Sequence, residues 1–473
     1  MFKKAKRQKN NLILLITLSL SLAGWYMPIS EAISENAWHL LIIFIATIIG
    51  IILNPLPMGV IALLSILACV LTKTLSLSEC LSGFSDSIVW LVVFAFFISN
   101  GFIKKGLGSR IAYYVLSKIG HSTLGISYAL VIADFVLSPL IPSATARGGG
   151  VIFPIAKSIC KSFSDHDHPG VSSKNGGFIM SVCTQSAVIT STLFITAMAA
   201  NPLAVKLAEQ AGFSISWIDW AIAAIVPGIV SLALMPLVIY YLYPPTIKYS
   251  DSAPQIAREK LDAMGRFSIH EIIMMLVFVL LIVLWINGPK LGLQPTTAAL
   301  LGLSILFVTK VINFEDNLAD KGAWHTFIWF ATLLMLSDFL SKFGLMTWIG
   351  AKLQFLFIGT SPINALIMLS LLYFYIHYFF ASTTAHITVL LPTFLVLFVN
   401  AGVPGALAAL ILSFLSTLSS GLTHFGLSSS PIFFGAGYMK TKDWWYIGLV
   451  TSVLYLLIWI FIGGAWWKLL KLW

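Results

Sequence analysis

The chain has 473 residues, 58% hydrophobic and only 10% charged, with a formal net charge of +10. Soluble domains carry about 25% charged residues, so this much apolar side chain cannot be hidden in a water-soluble core. The Lys and Arg residues are scattered through short connecting segments, which is the positive-inside pattern of a membrane protein and excludes a nucleic-acid partner.

Apolar runs able to cross about 30 Å of hydrocarbon, about 20 residues each, recur along the chain. None has the alternation of a barrel strand, so the expected fold is an all-α polytopic membrane protein. Met1 to Asn10 is basic and leads into an apolar run. No small-x-small site precedes Trp25-Tyr26-Met27-Pro28, so the run reads as a retained first span with its N-terminus in the cytoplasm. Spans are expected at about 11–29, 37–53, 58–71 and 87–103. Lys104, Lys105 and Arg110 then mark a cytoplasmic turn. From Thr123 to Cys160 the apolar stretch is interrupted by Pro139, Pro142 and Gly148-Gly149-Gly150. It is too long for one span and too broken for two, and predicts an inner re-entrant hairpin (about 123–160) flanked by Lys118, Lys157 and Lys161.

A polar loop over 162–177, a Ser/Thr-rich span over 178–200 ending at Asn201-Pro202, and a span over 217–243 complete a first half, residues 1–243. Residues 244–270 read as a cytoplasmic linker with a short amphipathic helix over 257–266. The second half, 271–473, restates the first, with spans at about 271–287, 296–311 and 323–340. A broken stretch over 363–398 follows, expected as an outer re-entrant hairpin. A Ser/Thr/Gly-rich segment (401–437) and a last span (444–465) close the chain. About eleven transmembrane helices result, which places the C-terminus outside, with Trp466, Trp467 and Trp473 as interfacial anchors. The location implied is the cell inner (plasma) membrane. Cys69, Cys80, Cys160 and Cys183 have neither metal nor disulfide spacing and read as small apolar residues.

Two polar islands, Ser143-Ala144-Thr145 and Ser382-Thr383-Thr384, stand 239 residues apart, as do Trp90 and Trp329. Pro154 and Pro392 follow them at nearly the same interval. A doubled unit with interrupted polar segments at matching places is the mark of a secondary transporter with its site near mid-membrane. Non-helical backbone at that depth is tolerated only where it lines a cavity or is buried in protein. Exposed helix N-termini carry unpaired N–H groups and positive charge that suit carboxylates. Ser and Thr hydroxyls donate to an anion or accept from a cation. They could also merely satisfy freed backbone groups; their pairing favours a site.

The residues carry a family resemblance as well. Pro142-Ser143-Ala144-Thr145-Ala146-Arg147-Gly148-Gly149-Gly150 resembles the signature of the divalent anion:sodium symporter family, in its 2-oxoglutarate/malate translocator branch. Phe379-Phe380-Ala381-Ser382-Thr383-Thr384-Ala385-His386 resembles the matching second-hairpin motif. Thr196-Ala197-Met198-Ala199-Ala200-Asn201-Pro202 and residues 419–437 resemble the family's two unwound helices. The likeness implies an inverted repeat and an elevator-type carrier in which both hairpins slide against scaffold spans that also form a homodimer. It implies substrate-binding Ser-Asn-Thr motifs at the tips, flanking sodium sites. Ser143, Thr145, Ser382 and Thr384 match those motifs, whereas Ala144 and Thr383 replace the asparagines. Asn201 and Thr423 fall in the unwound helices. Sodium near Ser143, Thr145, Ser382 and Thr384 is therefore the open question, and no other metal or cofactor is expected.

Charged groups inside the apolar parts are few. Arg147 needs water, a partner or an anion, because a buried charge costs about 2.5–3.5 kcal/mol on insertion scales. It reads either as a substrate attractor or as a cytoplasmic loop anchor. His386 and His424 fall beside the second island and the second unwound helix, as candidate charge or proton carriers. Asp134 and Asp338 need partners. Asp165-His166-Asp167-His168 reads as a solvated loop. Neither Gly-x-Ser-x-Gly nor His-Glu-x-x-His occurs, so an enzyme is not expected. Charged pore rings are absent, which argues against a channel. The expected function is carriage of small C4–C5 dicarboxylates (malate, 2-oxoglutarate, succinate class) across the lipid bilayer by exchange. The alternative is sodium- or proton-coupled symport of a dicarboxylate or citrate. The missing asparagines, Arg147 and the two histidines favour exchange.

Overall fold

The computed structural model describes residues 2–473 except 30–31, 54, 164–168, 251, 346–347, 349–350, 353–360 and 381. The Asp165–His168 loop lies outside the described residues. Every regular element among those described is helical, and nine helices are long and apolar enough to cross a bilayer. Four shorter apolar helices accompany them. The chain is an all-α polytopic membrane protein.

α1 (Phe2–Trp25), α2 (Glu35–Leu53) and α3 (Met58–Leu71) open the chain. α4 (Ser87–Lys104) begins at Asp86, whose carboxylate accepts from Ile88 N–H at 2.8 Å. Such a cap satisfies a donor that the first helical turn leaves orphaned. α5 (Leu107–Ile119), entered through Gly106 at φ +76°, was not expected from the sequence. Arg110 is correspondingly not a cytoplasmic turn charge. It is buried within α5, its Nε donating to Glu271 at 2.6 Å and its other nitrogens to Gly265 O and Met264 O.

α6 (Thr123–Leu137) and α7 (Phe153–Ser162), the latter entered through a π-helical segment at Thr145–Ile152, form the first hairpin. α8 (Pro169–Leu193) breaks, turns at Ile195–Ala197 and resumes as α9 (Ala200–Gln210). α10 (Trp217–Leu242) and α11 (Ser252–Met264) follow. The second half comprises α12 (Ile269–Leu291), α13 (Pro295–Val308) and α14 (Lys321–Lys342). Its hairpin is α15 (Pro362–Tyr375) with α16 (Thr383–Asn400). α17 (Gly405–Leu418) then breaks at Ser419–Leu422, and α18 (Thr441–Leu457) leads into the C-terminal turns.

The two halves repeat at the level of hydrogen bonds. Ser122 Oγ accepts from Gly125 N–H at the start of α6, and Ser361 Oγ accepts from Asn364 N–H at the start of α15. These two serines stand 239 residues apart. The tryptophans, however, pair differently from their spacing. Trp90 Nε1 donates to Phe84 O at 3.0 Å, six residues back across the start of α4. The equivalent bond in α14 is Trp324 Nε1 to Leu318 O at 2.9 Å, next to the Asp320 cap. Trp324, not Trp329, is the counterpart of Trp90, because only Trp324 sits one turn inside a capped helix start. Trp329 lies deeper along α14 and is buried in the core. The four cysteines are free and buried.

Candidate functional site

Each polar island closes a hairpin by capping its second arm. Ser143 Oγ accepts from Ala146 N–H at 3.1 Å, and Ser382 Oγ accepts from Ala385 N–H at 3.5 Å. Ser143 and Ser382 are half-buried, Ala144, Thr383 and Thr384 are buried, and Thr145 is exposed. Thr383 Oγ1 donates to Gly426 O at 3.2 Å, tying the second tip to the second broken helix.

Four residues along, the two islands place Arg147 and His386 at equivalent positions, and Asp134 and Tyr373 lie thirteen residues before each of these. Arg147 is fully buried, and all five of its N–H donors have acceptors in the protein. Nε bonds Asp134 Oδ1 at 2.8 Å; Nη1 bonds Ile141 O at 3.0 Å and Ala197 O at 2.9 Å. Nη2 bonds Thr190 Oγ1 at 3.2 Å and Ser191 Oγ at 2.8 Å. Asp134 also accepts from Thr190 Oγ1. An arginine so engaged has no donor left for a substrate. Arg147 is neither an attractor nor a loop anchor, but a clamp between the first hairpin and the first broken helix.

His386 is its counterpart in the second hairpin. It is fully buried, Nε2 lies 3.0 Å from Tyr373 O, and Nδ1 has no partner. Tyr373 Oη meets Ser416 Oγ at 2.6 Å, whereas in the first half it is Arg147, not the equivalent Asp134, that meets Ser191. The run Ser416-Thr417-Leu418 in α17 repeats Ser191-Thr192-Leu193 in α8.

Asn201 staples the first break. Its Nδ2 donates to Ser191 O at 2.7 Å and Phe194 O at 2.9 Å, the carbonyls that the end of α8 leaves orphaned. Its Oδ1 accepts from Thr417 Oγ1 at 3.3 Å, joining the two broken helices. All of its hydrogen-bonding groups are therefore used within the protein. His424 is turned to an aromatic group, with Nδ1 accepting from Trp445 Nε1 at 3.0 Å and its ring against Phe425 and Phe434. The structure thus leaves Arg147, Asn201 and His424 in supporting positions.

What it brings together instead is the segment 423–430. Hairpin 2 reaches it through Thr383 and through the His377 ring against Gly426. Hairpin 1 reaches it through Gly148, and Gly149 packs on Ile432 just beyond it. A Cβ on Gly148 would stand 3.1 Å from Ser429 Cβ, and one on Gly149 would stand 2.6 Å from Ile432 Cδ1. The glycine run is thus a close-packing surface. Gln185 holds the break from behind, donating to Gly421 O at 3.0 Å while accepting from Tyr455 Oη at 2.8 Å.

Thr423, Ser429 and Ser430 are fully buried, and their hydroxyls have no partner. His377, also fully buried, has neither ring nitrogen in a well-formed hydrogen bond, and its ring lies 4.9 Å from that of His386. Buried polar atoms are normally paired, so unpaired ones along a segment that both hairpins touch make it the candidate place for a ligand. Thr423 was legible as a candidate; His377, Ser429 and Ser430 were not. The only signal for Ser429 and Ser430 was their position beside the second break, and His377 had none.

The donor set bears on cations. Ala144 brings no side-chain oxygen, Thr383 spends its hydroxyl on Gly426, and no carboxylate stands among these residues. Among the described residues no group of three or more His, Cys, Asp or Glu side chains could hold a metal ion. A cavity of about 500 Å³ runs from Ile195 and Pro202 of the first break to Ser216 and Thr296. Lys206 on its wall is paired with Asp86 at 3.2 Å and Glu209 at 3.0 Å.

Residues 8–473 match the family described as the sodium:sulfate symporter transmembrane region. A putative malate transporter, YflS, of Bacillus subtilis (strain 168) is 48% identical over 461 residues, covering 97% of this chain and 96% of its own. The chloroplastic dicarboxylate transporter 1 of Arabidopsis thaliana is 46% identical over 464 residues, covering 97% of this chain and 83% of its own. Among solved structures, the Alcanivorax borkumensis YdaH transporter shares the fold at a TM-score of 0.58 and 13% identity, over 85% of this chain and 89% of its own.

Proposed function

Because the chain belongs to the divalent anion:sodium symporter family, in its dicarboxylate branch, we propose that it carries C4–C5 dicarboxylates of the malate, 2-oxoglutarate and succinate class by exchanging one for another. The observation that carries this reading is the set of buried hydroxyls without a partner, Thr423, Ser429 and Ser430, with His377 beside them, along a segment that both hairpins touch. Each such group costs about 1–3 kcal/mol while unsatisfied. A dicarboxylate offers acceptor oxygens at both ends and removes that cost.

The charge that meets the dianion comes from backbone. The capped N-terminal ends at Ser143 and Ser382 each carry about half a positive charge. Ser143, Thr145, Ser382 and Thr384 complete the tips, and the asparagine positions, Ala144 and Thr383, contribute shape. Arg147 supplies no charge to the substrate, so exchange cannot rest on a fixed cation in the site. It rests on the empty site itself. Unloaded, the site carries unsatisfied polar groups, and moving them through hydrocarbon is unfavourable. The carrier therefore returns loaded. Loss of both amides supports independence from sodium.

The hairpins and broken helices form the moving unit in this reading, and the other spans form the scaffold and the homodimer contact. The N-terminus faces the cytoplasm and the C-terminus the outside. Counterflow in proteoliposomes tests the mechanism. Labelled malate is expected to enter vesicles only when they hold an unlabelled dicarboxylate, equally with and without sodium. Entry into empty vesicles that requires sodium would replace exchange by symport.

A further inference from the structure

Lys104 and Lys105 read in the sequence as topology charges, yet they border a small cavity far along the chain from both hairpin tips. It measures about 140 Å³ and lies where the end of α4 meets the turn after α13. Its polar lining includes Asn100, Lys104, Lys105, Lys310, Asp316 and Asn317. Lys104 Nζ pairs with Asp316 at 2.9 Å, and among the described residues Lys105 and Lys310 have no ion pair.

Asn317 is the decisive member. It is 1% exposed, and its Oδ1 accepts from Asn100 Nδ2 at 3.2 Å. Asn100 also donates to Asp320 Oδ2 at 2.8 Å, which fixes the orientation of both amides. Asn317 Nδ2 is left buried without an acceptor. Topology alone explains lysines at this end of a span. It does not explain an orphaned buried donor beside them, which costs about 1–3 kcal/mol unless something accepts from it.

The charge balance selects the ligand. Three lysines against Asp316 and the adjoining Asp320, which holds Asn100, leave one positive charge at the cavity. The C-terminal end of α4 contributes about half a negative charge, too little to reverse the sign. A compact group with several acceptor oxygens satisfies two free ammoniums and one amide together. Basic pockets between spans at the cytoplasmic surface are also where anionic headgroups bind. We propose that this cavity is a second anion site, separate from the transport site, that takes one phosphate group, either from an anionic lipid headgroup or from free phosphate.

Thermal unfolding of the purified full-length protein in detergent tests it in two arms. One arm titrates inorganic phosphate against chloride at constant ionic strength; the other adds phosphatidylglycerol to the micelles, against phosphatidylcholine. The melting temperature is expected to rise by about 2–4 °C in at least one arm. A rise with phosphate identifies the free anion, and a rise with phosphatidylglycerol identifies the headgroup. Lys310 sits at φ +55°, so Lys310→Gly removes a charge at a position where glycine is at ease and should fold undisturbed. Lys310→Gly and the isosteric Asn317→Asp are both expected to lose the response. The proposal falls if neither arm moves the wild-type protein, or if either variant responds as the wild type does.

Discussion

The two hairpins share one design and differ in what fastens them. Both start at a capping serine and both close at another serine 21 residues later, Ser122 with Ser143 and Ser361 with Ser382. At equivalent positions the first holds Asp134 and Arg147, and the second holds Tyr373 and His386. In the first, one guanidinium is held inside the hairpin by an ion pair to Asp134 and a bond to Ile141 O, and it makes three further hydrogen bonds to the broken helix. The second is fastened to its broken helix by Tyr373 to Ser416 and Thr383 to Gly426 O, with His386 to Tyr373 O as its internal bond. More of the unpartnered groups lie on the second side, in His377, His386 and the 423–430 segment, against Ser186 in the first broken helix. One repeat has thus become an anchored wall and the other an adaptable one. A duplicated unit can divide rigidity and binding between its copies.

The anchor gives the largest expected effect. Arg147→Met leaves Asp134 buried and unpaired and should cost about 3–5 kcal/mol in detergent-based unfolding. Arg147→Met with Asp134→Leu should recover much of that loss, because no uncompensated charge remains. A single variant as stable as wild type would erase the distinction between the hairpins. Gly448→Ala probes the adaptable side. Its Cβ would lie 2.6 Å from Leu422 O and 2.7 Å from Gly421 O, so the second broken helix must shift. We expect a loss of about 1–3 kcal/mol and impaired exchange in counterflow assays. His386→Phe removes one hydrogen bond and should cost about 1 kcal/mol by the same unfolding measurement. A loss matching that of Arg147→Met would mean that the second hairpin is anchored just as firmly. The serine caps come last in stability, about 1 kcal/mol for Ser143→Ala or Ser382→Ala. Each should nonetheless abolish exchange while still inserting into the membrane. Normal transport by both variants would move the site elsewhere.

Much of the architecture was legible because membrane helices announce themselves by length and apolarity. The islands were legible because polar residues are rare in such segments. Arg147 was recognisable as a residue needing partners, but those partners, Ser191 and Ala197 among them, come from a helix more than forty residues away. Only folding brings them together. His377 was hidden by its neighbours, since the run 373–380 reads as aromatic packing and a single imidazole within it carries no signal of its own. Helix α5 was obscured for the opposite reason. Arg110 looked like a turn charge, and its partner Glu271 lies in the other half of the molecule. Trp329 shows the hazard of spacing alone: a second tryptophan stands at the repeat distance, while Trp324 occupies the equivalent capped turn.

The 21-residue interval between the two serines of each hairpin acts as a gauge. Capped helix starts elsewhere in the halves have drifted, with Asp86 and Asp320 standing 234 residues apart rather than 239. Insertions and deletions have accumulated in the connections and spared the interval from hairpin base to tip. The geometry of the helix supplies the reason. One added residue in an arm would rotate everything beyond it by about 100° and advance it by about 1.5 Å. The second serine would then face lipid or core instead of the tip. Chain length within each hairpin is thus the same in both copies although the side chains around it have diverged.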